Sequence, residues 1–507
     1  MDVSKLLKRT GAAGYLLLIL LPLTGFHLTQ CTWRDMIISP RQASLLWNSI
    51  LLASVSALAA CAAGTLVAVA IRSSSLSESA FRWIFLITAP LPYYIYALSW
   101  MYGVRWISRW NRDLASYGYR GLAACIFVET MTFLPLCAAM ALFGMEQQDH
   151  KEEDMAFLYQ KDISVIRCIV FPRILPYLTA AFGCVFILSI TDYSVPSLFQ
   201  FNTYIMDLFS EYSRGAGMAH VAGKSLPLIG LVFLFLALIQ GNLRQFTMPG
   251  PGGTGKRWCF KGGARCFPAI GMIFGISQML IPIVIFLVTA GSIPTIWDSF
   301  LLIKRELWVS IEMSLLAGIL SVLISYGMAR LILESKKFTF LLWQIALFPL
   351  AIPGPLVAMG LLTAVNGSPV HGISQTILLP AIGYTIRYMP FSLMIIAARL
   401  RRMEKRKIEM GRLLAPGMNR AFWKVELPMI FPGAFAAFCI VVLLSMGEEG
   451  IGLVLMPAGL ETLAVKVYNY LHYGASELIS GFSLVTMIVT GCAITALLRV
   501  MEEKKGR

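Results

Sequence analysis

Charge is what this sequence has least of. Of its 507 residues only 14% are Asp, Glu, Lys or Arg, against about 25% in an ordinary globular domain, and 57% are hydrophobic. That balance argues against a soluble fold. Acidic residues are the scarcer kind, 27 against 42 basic ones, leaving a net charge of +15. The excess does not imply nucleic acid as a partner, because the basic residues sit in short segments between apolar runs rather than on one polar domain; membrane topology explains them better. Histidine is rare, and His27, His150, His220, His371 and His472 show no ligand-like spacing. The ten cysteines contain no CxxC pair, and most lie within apolar runs, where cysteine acts as a small hydrophobe. No GxSxG or HExxH stands on a helix. We therefore expect no metal site and no catalytic residue in this chain.

Apolar runs of membrane-spanning length recur from Gly14 to Val500, each needing about 20 residues to cross the hydrocarbon core. Hydropathy predicts about twelve spans, near 14–30, 46–71, 81–103, 121–144, 174–200, 225–240, 268–290, 308–332, 339–364, 374–398, 429–456 and 478–498. The start, with Lys5, Lys8 and Arg9 before an apolar stretch, resembles a secretory signal but lacks a small-residue cleavage site, so a retained first helix is expected. Placing both termini in the cytoplasm puts most Lys and Arg inside. One cluster, Arg105, Arg109, Arg112 and Arg120, falls outside against that rule.

Only one long Gly/Pro-rich stretch exists, from Met248 to Arg257. It divides the spans six and six, predicting a first half over 1–240, a cytoplasmic linker over 241–267 and a second half over 268–507. The stretch contains GxxxxGK, but Arg257 stands where a P-loop needs Ser or Thr for magnesium, and no strand precedes it. A nucleotide site on this chain is not expected.

The halves repeat one another. Trp47-Asn48-Ser49-Ile50 recurs as Trp308-Val309-Ser310-Ile311, and Pro92 falls on Pro353 at the same offset. Pro172 and Pro176 fall on Pro428 and Pro432, and Ser189-Ile190-Thr191-Asp192-Tyr193 falls on Ser445-Met446-Gly447-Glu448-Glu449. Six spans per half require the two halves to share one orientation. The fold class read from this is an all-α polytopic membrane protein with two parallel six-helix pseudo-repeats.

The most informative polar segments lie between the fourth and fifth spans of each half. One runs from Glu152-Glu153-Asp154-Met155 to Phe171-Pro172-Arg173-Ile174-Leu175-Pro176; the other runs from Glu409-Met410-Gly411-Arg412, through Gly417, to Glu426-Leu427-Pro428 and Pro432. Each begins acidic, continues with an apolar-faced helix and ends on a proline pair. Two such cytoplasmic loops suit a partner that is itself two-fold.

Here the chain resembles the permease subunits of binding-protein-dependent ABC importers, whose cytoplasmic EAA loop reads Glu-Ala-Ala, three residues, Gly, nine residues, then a hydrophobic-x-Leu-Pro ending. Glu153 and Glu409 match the motif's Glu, and Pro172 and Pro428 its Pro. The motif glycine is replaced by Tyr159 in one half and Ala415 in the other, and the first loop is the weaker match. Leu444 to Glu448, the run Met456 to Ala464, and Arg387 before Met389-Pro390 are similar to the fused, two-half permeases serving ferric iron, with thiamine and phosphonate relatives close by. The resemblance implies that two copies of an ABC ATPase subunit, carrying ATP and magnesium, dock on the loops around Glu153, Pro172, Glu409, Gly411, Gly417 and Pro428. It also implies an extracytoplasmic solute-binding protein as partner, a bacterial inner-membrane location among lipids, and no cofactor on this chain.

Ionisable groups within spans are costly and face the bundle interior or a water-filled path. Glu129, Asp192, Glu312, Arg387, Glu448 and Glu449 are the candidates, and Asp192, Arg387, Glu448 and Glu449 are expected along the translocation pathway. A purely structural pairing of Arg387 with Glu448 or Glu449 is the alternative. For cargo, ferric iron is favoured, with thiamine or a phosphonate as alternatives; a proton-coupled secondary carrier is a second reading, and a membrane enzyme a third, with no Asp or His cluster to support it.

Overall fold

The structure, a computed structural model, describes residues 3–27, 30–73, 93–108, 121–147, 155–157, 159–245, 258, 260, 262–335, 337–403, 410, 418–473 and 476–503. The described residues are helical, with short turns and no strand. That is the form a backbone must take where no water is present to satisfy its polar groups. Among them, nine helices are long and apolar enough to cross a membrane, or ten if one bent pair counts as a single span.

In chain order the main helices are α1 (Val3–Gly25), α2 (Pro40–Ser73), α3 (Tyr93–Ser108), α4 (Leu122–Glu146), α5 (Phe171–Ile190), α6 (Ser194–Leu198), α7 (Tyr204–Ser213) and α8 (Met218–Gln245). They continue as α9 (Cys266–Ala290), α10 (Ile293–Glu334), α11 (Thr339–Leu347), α12 (Gly354–Asn366), α13 (Leu378–Arg402), α14 (Leu427–Met446), α15 (Gly450–Leu455), α16 (Leu463–His472) and α17 (Ser476–Glu503). Neither α3 nor α17, which lie in the third and twelfth expected spans, is among those nine, the described apolar stretch of α17 being the shorter Ser476–Cys492; residues 81–92 of the third expected span lie outside the described residues, as do 246–257 of the expected linker and Arg109, Arg112 and Arg120.

Three expected continuous spans are broken. The run 174–200 stops at Ile190, and the run 429–456 stops at Met446, each resuming as a short helix after three residues. The run 339–364 bends by 93° between α11 and α12, where Pro349, Pro353 and Pro355 withhold three backbone donors and bar a continuous helix. Hydropathy misses such breaks because the interrupting residues are few.

Each half's first helix crosses to the other half. α1 packs against α10 and α12, and α9 packs against α2 and α3 as well as α17. Glycines allow both crossings: a methyl group on Gly11 would stand 3.0 Å from the Cα of Gly327, and one on Gly271 would stand 2.0 Å from the carbonyl oxygen of Leu66. Without a hydrophobic force between helices in lipid, such close backbone approach is what holds them together. Buried polar bonds reinforce the crossings. Tyr15 donates to the carbonyl of Ala346 at 2.7 Å, and the Gln278 side chain donates to the Tyr96 hydroxyl.

The repeated Trp-x-Ser-Ile segments do equivalent work. Ser49 Oγ accepts the backbone N–H of Tyr204 at 3.0 Å, and Ser310 Oγ accepts that of Leu463 at 2.8 Å. Each serine thereby satisfies one of the donors left open at the start of α7 or α16.

Candidate functional site

The two aligned pentads meet where the halves meet. Thr191, Asp192, Tyr193 and Ser194 from the α5–α6 break, Gly447, Glu448, Glu449 and Gly450 from the α14–α15 break, and Arg387 and Tyr388 from α13 line one small cavity of ≈ 20 Å³, room for about one water. All four residues expected along a pathway, Asp192, Arg387, Glu448 and Glu449, are therefore brought together.

Their bonding differs. Asp192 stands one residue before the N-cap, Tyr193, and accepts the first two N–H groups of α6, those of Ser194 (3.1 Å) and Val195 (3.0 Å), so its carboxylate satisfies donors left open at that helix start. Glu448 accepts a hydrogen bond from the Tyr388 hydroxyl, while the Tyr384 hydroxyl donates to its backbone carbonyl at 3.5 Å. Glu448 Oε1 also lies close to the Cα of Gly354, where a methyl group would stand 2.6 Å from it. Glu449 is 3% exposed, and its Oε1 has no hydrogen-bond partner.

Arg387, 5% exposed, donates from Nη1 to the carbonyl of Ile352 and from Nη2 to Thr191 Oγ1, both at 2.6 Å. Ile352 sits at the 93° bend, so the guanidinium satisfies a carbonyl freed by a broken helix. Thr191 belongs to the first half. The structural pairing of Arg387 with Glu448 or Glu449 is not what forms; the arginine ties the second half's bend to the first half's break. Thr191 and Tyr388 were not singled out from the sequence, although each adjoins a residue that was.

Two other candidates fall elsewhere. Glu129 is buried at 1% and takes a hydrogen bond from Ser189 at 2.5 Å. Glu312 is exposed on α10 and is not among the cavity-lining residues. Among the described residues no group of three or more His, Cys, Asp or Glu is placed to hold a metal ion.

The cytoplasmic loops are described in part. Glu153, Glu409, Gly411 and Gly417 lie outside the described residues, whereas Pro172 and Pro428 are present and exposed. Each proline stands second in its helix, directly after a π-turn: Ile166–Val170 before α5 and Phe422–Glu426 before α14. The turns are closed by the N–H of Phe171 on the Ile166 carbonyl and that of Leu427 on the Phe422 carbonyl. A proline ring crowds the carbonyl four residues back, and widening the preceding turn by one residue relieves it. Apolar side chains stand exposed near both turns, including Met155, Tyr159 and Ile163 in one loop and Met410 and Trp423 in the other.

What anchors these turns differs between halves. In the first, Trp258 and Phe260, from the expected linker, pack on Phe157 of the loop with ring centroids 5.8 and 6.4 Å apart, and Arg72 lies 5.8 Å from the Trp258 ring centroid. In the second, buried Glu426 pairs with Arg330 and accepts from the Tyr326 hydroxyl at 3.0 Å; Arg330 also reaches Glu334, which pairs with Lys8 of α1.

No family model matches the chain. It is 21% identical over 495 residues, 95% of this chain and 94% of the relative, to the Fe(3+)-transport system permease protein FbpB 2 of Haemophilus influenzae. It is 22% identical over 404 residues, 74% of this chain and 57% of the relative, to the ferric transport system permease protein FbpB of Actinobacillus pleuropneumoniae. A putative 2-aminoethylphosphonate transport system permease protein, PhnV of Salmonella typhimurium, matches at 24% over 208 residues, 41% of this chain and 74% of the relative. The chain is a multi-pass membrane protein homologous to transport-system permeases, which are not themselves enzymes.

Proposed function

We propose that this chain is the membrane-spanning permease of a bacterial inner-membrane ABC importer, with its two halves, 1–240 and 268–507, fused through the 241–267 linker and both termini in the cytoplasm. Similarity over 95% of the chain to a ferric transport permease carries the reading, and it favours ferric iron over thiamine or a phosphonate as cargo. An exported binding protein hands the cargo to the outer face. Two ATPase subunits, holding ATP and magnesium, dock inside on the loops that contain Glu153 and Pro172, and Glu409, Gly411, Gly417 and Pro428.

The exposed apolar side chains on these loops suit such docking. Each π-turn and proline pair converts a push on the loop into rotation at the root of α5 or α14, and each of those helices ends at the break that lines the central cavity. In this arrangement the Asp192, Arg387, Glu448 and Glu449 layer is the closed waist of the pathway. The test is uptake of radiolabelled ferric iron by iron-starved cells lacking other iron systems, with the gene intact, deleted, or carrying Glu409→Ala. Uptake falls to background in the deletion and in the variant if the reading is right; normal uptake in the deletion refutes the ferric cargo, and normal uptake in the variant refutes coupling through Glu409.

A further inference from the structure

We infer that Glu448 and Glu449 form a transit site for a cationic cargo, closed at rest by the bond that Arg387 makes across the halves to Thr191. The inference rests on the permease reading with its ferric cargo and adds the residues that receive the cation.

Three carboxylates line the cavity against one guanidinium. They are not equivalent. Asp192 is committed to the first two N–H groups of α6, whereas Glu449 is buried with an oxygen that nothing satisfies, and Glu448 is held only from one side, by Tyr388. A buried carboxylate oxygen without a partner is expensive, and inside a membrane protein such a group marks an ion or proton path. Its missing partner is a cation.

The arrangement also says that the cation passes rather than stays. No three ligand-type side chains gather tightly enough to hold a metal ion, among the described residues, and conduction requires sites weak enough to leave. Single carboxylates in series meet that need. Oxygen donors suit hard cations.

Arg387 supplies the closure. Its two hydrogen bonds run to Ile352 in its own half and to Thr191 in the other, so any separation of the halves must break the second. Breaking it parts Thr191 from the guanidinium, which stays on the Ile352 carbonyl, and leaves Glu448 and Glu449 facing an opened cavity. Cation entry and loss of this bond between the halves are thereby one event.

The experiment uses the full chain assembled with its ATPase subunits in proteoliposomes, with the binding protein and radiolabelled ferric iron as the probe. Glu449→Gln and Glu448→Gln are each expected to lower uptake about tenfold or more, the loss of one close charge, while ATP hydrolysis stimulated by the loaded binding protein persists. Glu449→Asp is expected to recover part of the uptake. Should Glu449→Gln fail to assemble, the less buried Glu448→Gln carries the test with the same readouts. Wild-type ferric uptake that both glutamine variants retain in full overturns the transit site and leaves the permease reading standing. A wild-type complex that carries a phosphonate in place of ferric iron overturns the cationic cargo and the transit site together.

Discussion

The roots of α5 and α14 are built on the same plan from opposite chemistry. Both are π-turns followed by a proline, and their residues correspond at the offset that aligns the proline pairs. Yet Val170 occupies the place of Glu426. Val170 lies in an apolar cluster with Trp258 and Phe260, whereas Glu426 lies in an ionic chain through Arg330 and Glu334 to Lys8. The shared geometry is what proline and a turn into a membrane helix require; the anchoring is free to vary. The difference also has a topological reason. The first root is held by the segment that joins the halves, and the second by Arg330 and Tyr326 of α10, with α1 reached only through Glu334. Each root is thus fastened by a part of the chain outside its own loop.

That contrast can be broken from either side. The largest effect is expected for Trp258→Ala, which empties the aromatic clamp and costs about 3–5 kcal/mol, read as the unfolding midpoint in mixed detergent micelles. Glu426→Ala leaves Arg330 without its buried partner, at about 3 kcal/mol or more. The comparison is sharpened by the double variant Glu426→Val with Arg330→Met, which copies the first root into the second; it is expected to regain most of that loss, because replacing both members of a buried pair with apolar groups is often neutral. If the double variant is no more stable than Glu426→Ala, the two roots are not interchangeable. A smaller loss, about 1–3 kcal/mol, is expected for Gly271→Ala, where the added methyl meets the Leu66 backbone. The smallest is Ser310→Ala, at about 1 kcal/mol for the lost bond to the start of α16, matched by a similar loss for Ser49→Ala at α7.

Much of this was legible in the sequence. Apolar runs gave the all-helical membrane fold, and the aligned pentads placed Asp192 and Glu448 at one depth. The Trp-x-Ser-Ile repeat was visible as a repeat, but its purpose was not, since a serine that caps a helix more than 150 residues away leaves no local pattern. The helix breaks were hidden for a similar reason: a few polar residues after Ile190 or Met446 barely lower a hydropathy average. Arg387 was legible as a pathway candidate, with pairing to a glutamate as the alternative; its partners are the carbonyl of Ile352 and Thr191. Charge pairing suggested a glutamate, while the freed carbonyl of Ile352 exists only because of a bend that sequence hydropathy does not register.

The central claim is that this chain moves its cargo only under the drive of separate ATPase subunits. Purified chain, with and without those subunits, reconstituted in vesicles and given binding protein, ferric iron and ATP, tests it directly. The account predicts uptake only when the ATPase subunits and ATP are both present on the loop side, and none under a proton gradient alone. Uptake by the chain alone, driven by a proton gradient and abolished by Glu448→Gln, would contradict it and identify a secondary carrier instead.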